Sequence, residues 1–228
     1  MVSCSPWCDE DARRQAMRDI PCQLYLISPL DVGGSFPDRL REALQAGPVS
    51  AFQFRVKDVD RQEAAKLAEP LKAICDEFDV AFIVNDDVTL AQQLGADGVH
   101  LGQGDESLKD ARAALGKDVQ IGITCHDSRH LAMEAGEGGA NYVAFGAFFP
   151  TTTKETHHKP DLDLVRWWSS MMEIPSVAIG GITPDNCQPL IDAGADFLAV
   201  CGAVWNDPVG PAEAVRKFAD ILSAAADD

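Results

Sequence analysis

The chain has 228 residues, 46% of them hydrophobic, enough for one sizeable core or two small ones. Its formal net charge of −17 argues against nucleic acid or an anionic membrane as a partner. An anionic ligand then needs a local cluster of cations, so the placement of Lys and Arg matters more than their number. The seven cysteines are scattered, without a CxxC pair, as expected of a reduced, cytoplasmic protein without structural zinc. Residues 1–20 lack an apolar core and read as an arm or short helix, not as a secretory signal. No run approaches the ~18 apolar residues of a membrane span.

Residues 21–228 read as one domain of strand-then-helix units. Gln23–Ser28 (QLYLIS) predicts a first strand. Ser35 is placed to cap a helix with Pro37 in its first turn and Gly47-Pro48 at its end. A second strand over Val49–Phe54 runs into Arg55-Val56-Lys57. Asp60 caps the next helix, where Leu67, Leu71, Ile74 and Phe78 follow helical spacing. Ala81–Val84 predicts the third strand, followed by Asn85-Asp86-Asp87 and a helical stretch that stops at Gly95. Val99–Leu101 is the fourth and ends in Gly102-Gln103-Gly104-Asp105, before a short helix over Ser107–Leu115. Gln120–Thr124 is the fifth, with Asp127 capping a helix that runs to Gly136. Tyr142–Phe145 is the sixth and leads into a polar loop, Phe149 to Pro160. Asp161–Met172 is helical. Ser176–Ile179 is the seventh strand, ending in Gly180-Gly181, after which Thr183-Pro184 start a helix with Cys187, Leu190 and Ile191 on one face. Phe197–Val200 is the eighth, ending in Cys201-Gly202, and Pro211–Ala225 closes the chain as a helix.

Eight short apolar strands alternating with helices favour a single (β/α)8 barrel, in the α/β class, over an open sheet. Gly95-Ala96-Asp97, Gly139-Ala140-Asn141 and Gly194-Ala195-Asp196 form an internal echo, each closing a helix and opening a strand.

In such barrels chemistry sits at the C-terminal ends of the strands. Those ends carry cations, carboxylates and glycine-rich backbone, which suits phosphorylated ligands. Asp86 and Asp105 follow consecutive strands, so a parallel sheet sets two oxygen donors around one hard cation such as Mg²⁺. The plainer alternative is that Asp86 or Asp87 caps one helix and Asp105 the next. Gln53, Arg55 and Lys57 share a face by period two, or form a solvated strand end. Gly180-Gly181 before a helix start reads as a phosphate nest, or as a tight turn alone. His100 is expected to pack near the end of strand four. His126 is a candidate base or a structural residue. His157-His158 lack a third metal ligand and read as a solvated lid. Cys125 and Cys201 read as inert small residues. Trp167-Trp168 either pack on the barrel or make a subunit contact, which leaves a homo-oligomer open.

Seven stretches, QFRVK (53–57), VNDD (84–87), GADGVHLGQGD (95–105), GIT (122–124), FPTTTK (149–154), AIGGIT (178–183) and AVCGAV at the end of strand eight, resemble the motifs of thiamine phosphate synthase, in that family's order. The likeness runs from about Gln23 to about Trp205. It implies a Mg²⁺-dependent transferase with two small phosphorylated heterocyclic substrates. It would couple 4-amino-2-methyl-5-hydroxymethylpyrimidine diphosphate to thiazole phosphate, giving thiamine phosphate and pyrophosphate. By position the resemblance assigns Gln53, Arg55, Lys57, Asn85, Thr124 and Lys154 to the pyrimidine diphosphate. Of these, Arg55, Lys57, Lys154 and Thr124 would carry catalysis. Asp86 and Asp105 would hold the metal. Thr151, Thr152, Thr153, Gly181, Cys201 and Gly202 would hold the thiazole phosphate. The family usually has Ser where this chain has Thr124 and Gly202. Two alternatives share the fold: a thiazole tautomerase using His126 as acid and base, and a phosphate-ligand binding protein without turnover.

Overall fold

A computed structural model describes residues 21–151 and 157–226. Eight parallel strands close a barrel in chain order, with β8 pairing back to β1. They are β1 (Gln23–Ile27), β2 (Ala51–Phe54), β3 (Ala81–Asn85), β4 (Gly98–Leu101), β5 (Gln120–His126), β6 (Tyr142–Gly146), β7 (Ser176–Ile179) and β8 (Phe197–Val200). Around them lie α1 (Phe36–Ala46), α2 (Arg61–Glu77), α3 (Val88–Leu94), α4 (Leu108–Leu115), α5 (Arg129–Glu137), α6 (Leu162–Met171), α7 (Gln188–Asp192), α8 (Gly202–Trp205) and α9 (Pro211–Ala226). The eight predicted strands are all present, with ends shifted by up to two residues. The predicted N-terminal arm lies outside the described residues.

Strand alternation divides the core in two. Phe52 and Phe54 of β2 point outward with Phe82 of β3, and all three are buried beneath the helices. Phe36 of α1 and Trp205 of α8 meet edge-on at 4.8 Å in the same layer, and the Trp205 indole N–H donates to the Ile27 carbonyl at 2.6 Å. The inward positions form a second cluster of Tyr25, Ile27, Ala51, Ile83, Tyr142 and their neighbours. Gly122 makes this interior possible, because a Cβ there would lie 1.9 Å from Cζ of Tyr142.

The Gly-Ala-Asp echo has a mechanical role. Gly95, Gly139 and Gly194 all have positive φ (58°, 88° and 88°), which turns the chain from helix to strand. The acidic or amide residue two places on then reaches back to the strand before it. Asp97 accepts from the Phe82 amide at 2.8 Å, Asn141 from the Ile121 amide at 2.8 Å, and Asp196 from the Ser176 amide at 2.7 Å. Asp196 also accepts from the Ser176 hydroxyl at 3.0 Å. Three staples thus join β3 to β4, β5 to β6 and β7 to β8 at the N-terminal end of the barrel.

Helix starts depart from the sequence reading in four places. Asp60, Asp87 and Asp161 cap α2, α3 and α6 through their side chains, as the pattern allows. Ser35 precedes α1 but makes no side-chain cap bond. Asp127 does not cap α5; its neighbour Ser128 accepts from the Leu131 amide at 3.2 Å, leaving Asp127 for a distant partner. Asp105 does not cap α4, because Ser107 does. The helix expected from Thr183 begins only at Gln188. Asn186 takes the first turn instead: its Oδ1 accepts from the Thr183 amide at 2.8 Å, and its Nδ2 donates to the Gly181 carbonyl at 3.0 Å. Trp168 is fully buried, its indole donating to the Ile174 carbonyl at 2.7 Å, and Trp167 is half-buried beneath the Arg129 guanidinium. Within the described chain, both therefore pack on the barrel.

The Asp196 staple gives a test. Asp196→Ala strands the buried Ser176 amide and hydroxyl, and is expected to lower unfolding free energy by ~1–3 kcal/mol. Asp196→Asn keeps an acceptor oxygen and is expected to lose less; urea denaturation of both variants measures the difference.

Candidate active site

Parallel closure brings every strand exit to one rim. Gln53, on the inward face of β2, is buried, and its Nε2 donates to the Tyr25 hydroxyl at 2.9 Å. Arg55, two residues on, is also buried. Ser28, just past β1, brackets its backbone: the Ser28 hydroxyl accepts from the Arg55 amide at 2.8 Å and donates to the Arg55 carbonyl at 3.1 Å. The Arg55 side chain is less settled, because buried Nη1 has no hydrogen-bond partner among the described residues. A buried guanidinium with an open N–H is costly unless an acceptor arrives, and an anion is the acceptor that also offsets the charge. Lys57 lies further out, exposed to solvent.

The next two strands supply carboxylates. Asn85 ends β3, and Asp86 follows with φ 65°, its amide donating to the His100 carbonyl of β4 at 2.9 Å. Asp adopts this left-handed conformation more readily than most residues. Asp87 is already engaged: one oxygen caps α3 at Leu90, and the other pairs with Arg61 at 2.8 Å. Asp105 curls back so that Oδ2 accepts from the Gly102 amide at 2.7 Å, turning the end of β4 into a closed loop. Asp86 and Asp105 are both exposed, beyond adjacent strand ends. Among the described residues, no group of three or more His, Cys, Asp or Glu gathers as a metal site. Carboxylate oxygen is the donor type that a hard cation takes.

Thr124 sits inside β5, two residues before the strand ends. The β5–β6 register slips between Thr124 and His126, and Cys125 lies in the outer core with Ile121 and Ile123 by strand alternation. Burial pushes the Cys125 thiol up to about 12, so it stays protonated and inert. The Thr124 hydroxyl meets His100 Nε2 at 2.8 Å. His100 is buried in the barrel interior and stacked on Tyr142, and its Nδ1 lies 3.0 Å from the Tyr142 hydroxyl.

The remaining exits are held against each other. The Phe148 and Phe149 amides donate to the carbonyls of Ile179 and Gly180, at 3.2 and 3.0 Å. Gly180 and Gly181 both have positive φ, and a Cβ on Gly181 would lie 2.4 Å from the Pro150 carbonyl oxygen. The pair is therefore also required by close backbone approach, beyond the nest reading. Thr151 is the last described residue before 157; Thr152, Thr153 and Lys154 lie outside the described residues. Cys201 and Gly202, both half-buried, open the four-residue helix α8, and the Cys201 thiol donates to the Ser28 carbonyl at 3.5 Å.

His157 and His158 are both exposed, as the solvated reading expects, and His158 is also held in place. Its Nδ1 meets Asp127 Oδ1 at 2.8 Å, and its ring stacks on His126 with centroids 4.2 Å apart. Partial burial works against ionisation of Asp127, yet the bonds from His158 and the Lys159 amide hold it below the usual carboxylate range. Sequence reasoning also missed Ser28, Tyr25 and Tyr142. The last two are the only tyrosines in the chain, which was the one signal available.

Barrel and rim together place the chain among the (β/α)8 barrel enzymes. Residues 24–204 match the family model described as thiamine monophosphate synthase. Relatives named thiamine-phosphate synthase include one from Erythrobacter litoralis, 64% identical over 92% of this chain and 100% of its own length. Another, from Rhodospirillum centenum, is 52% identical over 88% and 98%. A solved thiamine phosphate pyrophosphorylase from Pyrococcus furiosus superposes with a TM-score of 0.80 at 30% identity, covering 92% of this chain and 98% of that one. The chain belongs to the thiamine monophosphate synthase family.

Arg55 generates a prediction that needs no second substrate. Pyrophosphate is expected to bind by calorimetry, and Arg55→Met to weaken that binding by ~10-fold or more, the loss of one charged hydrogen bond.

Proposed function

We propose that the chain joins 4-amino-2-methyl-5-hydroxymethylpyrimidine diphosphate to a thiazole phosphate, releasing pyrophosphate and giving thiamine phosphate. The observation that carries this reading is the buried Arg55 guanidinium with Nη1 unpartnered among the described residues, on the same strand exit as Gln53. A polar interior beside a buried cation suits a ligand with a polar ring at one end and an anion at the other. The 64% identity to a relative matched over its whole length supports the same chemistry.

Gln53, Asn85 and Thr124 orient the pyrimidine. The bond between its methylene carbon and the diphosphate oxygen breaks, and the electron-rich aminopyrimidine carries the resulting cation. The thiazole nitrogen then forms the new C–N bond. No protein nucleophile is required, so the chain's work is placement and charge stabilisation. Arg55, Lys57 and Lys154 stabilise the charge that develops on the departing pyrophosphate. Asp86 and Asp105 would hold Mg²⁺, which supplies further neutralisation of the leaving group when bound. Thr151, Thr152, Thr153 and the amides of Gly181, Cys201 and Gly202 would hold the thiazole phosphate. With Gly at 202, a backbone amide stands where the family usually has a hydroxyl. Five cysteines among the described residues are free thiols, in keeping with a cytoplasmic enzyme.

The pure protein, incubated with both substrates and Mg²⁺, is expected to give thiamine phosphate and pyrophosphate in equal amounts. Tautomerisation of the thiazole without coupling would make it an isomerase, and binding without turnover a phosphate-ligand carrier; either result overturns the reading. Lys154→Ala is expected to lower turnover by ~10²-fold or more, the scale of losing one preorganised charge donor. Near-normal turnover in that variant removes Lys154 from the leaving-group role.

A further inference from the structure

Five inward-facing side chains from five strands form one hydrogen-bonded series across the barrel. Gln53 Nε2 lies 2.9 Å from the Tyr25 hydroxyl, which lies 3.1 Å from the Tyr142 hydroxyl. The Tyr142 hydroxyl lies 3.0 Å from His100 Nδ1, and His100 Nε2 lies 2.8 Å from the Thr124 hydroxyl. The three central groups, Tyr25, Tyr142 and His100, are all buried. The two ends, Gln53 and Thr124, are the residues assigned above to the pyrimidine.

Each hydroxyl has one hydrogen to give, and a neutral imidazole has one donor and one acceptor nitrogen. With Gln53 Nε2 donating to Tyr25, the directions follow in turn. Tyr25 donates to Tyr142, Tyr142 donates to His100 Nδ1, and His100 Nε2–H donates to Thr124. The Thr124 hydrogen is then left for a ligand, and Gln53 Oε1 is left as an acceptor. If the Gln53 amide turns over, every bond reverses, and the ends become a donor at Gln53 and an acceptor at Thr124. Within these four bonds, any mixed state leaves one of them unmade, which is the costly outcome. Burial, only partly offset by its hydrogen bonds, lifts the Tyr25 phenol to about 12, and burial raises Tyr142 well above its ordinary value. Both phenols therefore keep the hydrogens this counting requires.

We infer that Tyr25, Tyr142 and His100 are positioning residues that lock the hydrogen-bond polarity of Gln53 and Thr124 together, so that the floor presents an acceptor at Gln53 and a donor at Thr124. The inference rests on the reading that these two residues face the pyrimidine. A 4-aminopyrimidine edge offers a donor amine beside an acceptor ring nitrogen. The 4-oxo analogue offers the reverse, an acceptor oxygen beside a donor N–H. It can be matched at both positions only by turning over the whole series. The relay therefore couples the two ends, and the polarity seen in the structure, with Gln53 Nε2 donating to Tyr25, is the one that matches the amino form.

Two measurements test this. In the free protein, ¹⁵N NMR of His100 is expected to show a neutral ring with hydrogen on Nε2; hydrogen on Nδ1, or on both nitrogens, overturns the inference. Calorimetry then compares the 4-amino and 4-oxo forms of the pyrimidine diphosphate with pyrophosphate alone. The wild-type protein is expected to prefer the amino form by ~10-fold or more. Tyr142→Phe cuts the series in the middle and is expected to lower that preference by ~10-fold while leaving pyrophosphate affinity unchanged. Tyr25→Phe, which cuts it beside Gln53, serves the same purpose if Tyr142→Phe does not fold. An amino-to-oxo ratio that survives the cut sinks the relay but leaves the proposed function standing. If neither pyrimidine binds better than pyrophosphate, the proposed function itself fails.

Discussion

A strand in a closed parallel barrel has no solvent-facing side. One face meets the helices and the other meets the strands across the axis, so every inward side chain must fit and be satisfied there. Most of this chain's inward positions comply by being small or aliphatic, as Ala51, Ile83, Ala144 and Val177 do. The polar exceptions cannot stand alone in that volume. Gln53, Tyr25, Tyr142, His100 and Thr124 are admitted because each matches the next. Gly122, with no side chain to collide with Tyr142, leaves them the room. The interior thus combines dry packing with a matched polar series that spans it.

The rim turns the same constraint to chemical use. Charged groups sit where the ladder ends and water or ligand can reach them. Arg55 is the case between: deep enough to be buried, with its backbone pinned by Ser28 and one guanidinium nitrogen unmatched among the described residues. Asp86 and Asp105 lie further out and need no partner to be tolerated. This grading, from neutral and matched inside to charged and exposed outside, follows the cost of burying each kind of group.

The strands and the barrel were legible because short apolar runs, glycine stops and capping residues repeat in step along the chain. The rim residues were legible for the same reason, since a strand end read from sequence is a rim position once the barrel closes. What stayed hidden depended on register or on distant competition. Asp127 and Ser128 are both good caps, and Ser128 makes the cap while His158, 31 residues further on, engages Asp127. Asp86 and Asp87 look alike in sequence, and Arg61, 26 residues earlier, pairs with Asp87. Tyr25 and Tyr142 are 117 residues apart, and nothing local announces that they touch. The late start of α7 depended on Asn186 closing its own turn with side-chain bonds.

The three Asp and Asn staples sit at the end of the barrel opposite the rim, and they hold strands by backbone amides that face no ligand. Rigidity is therefore anchored at one pole and reactivity expressed at the other, with the length of the strands between. Lineages of this protein are free to retune heat tolerance through one set of positions while drifting in turnover through another, because the two traits have separate addresses in the molecule.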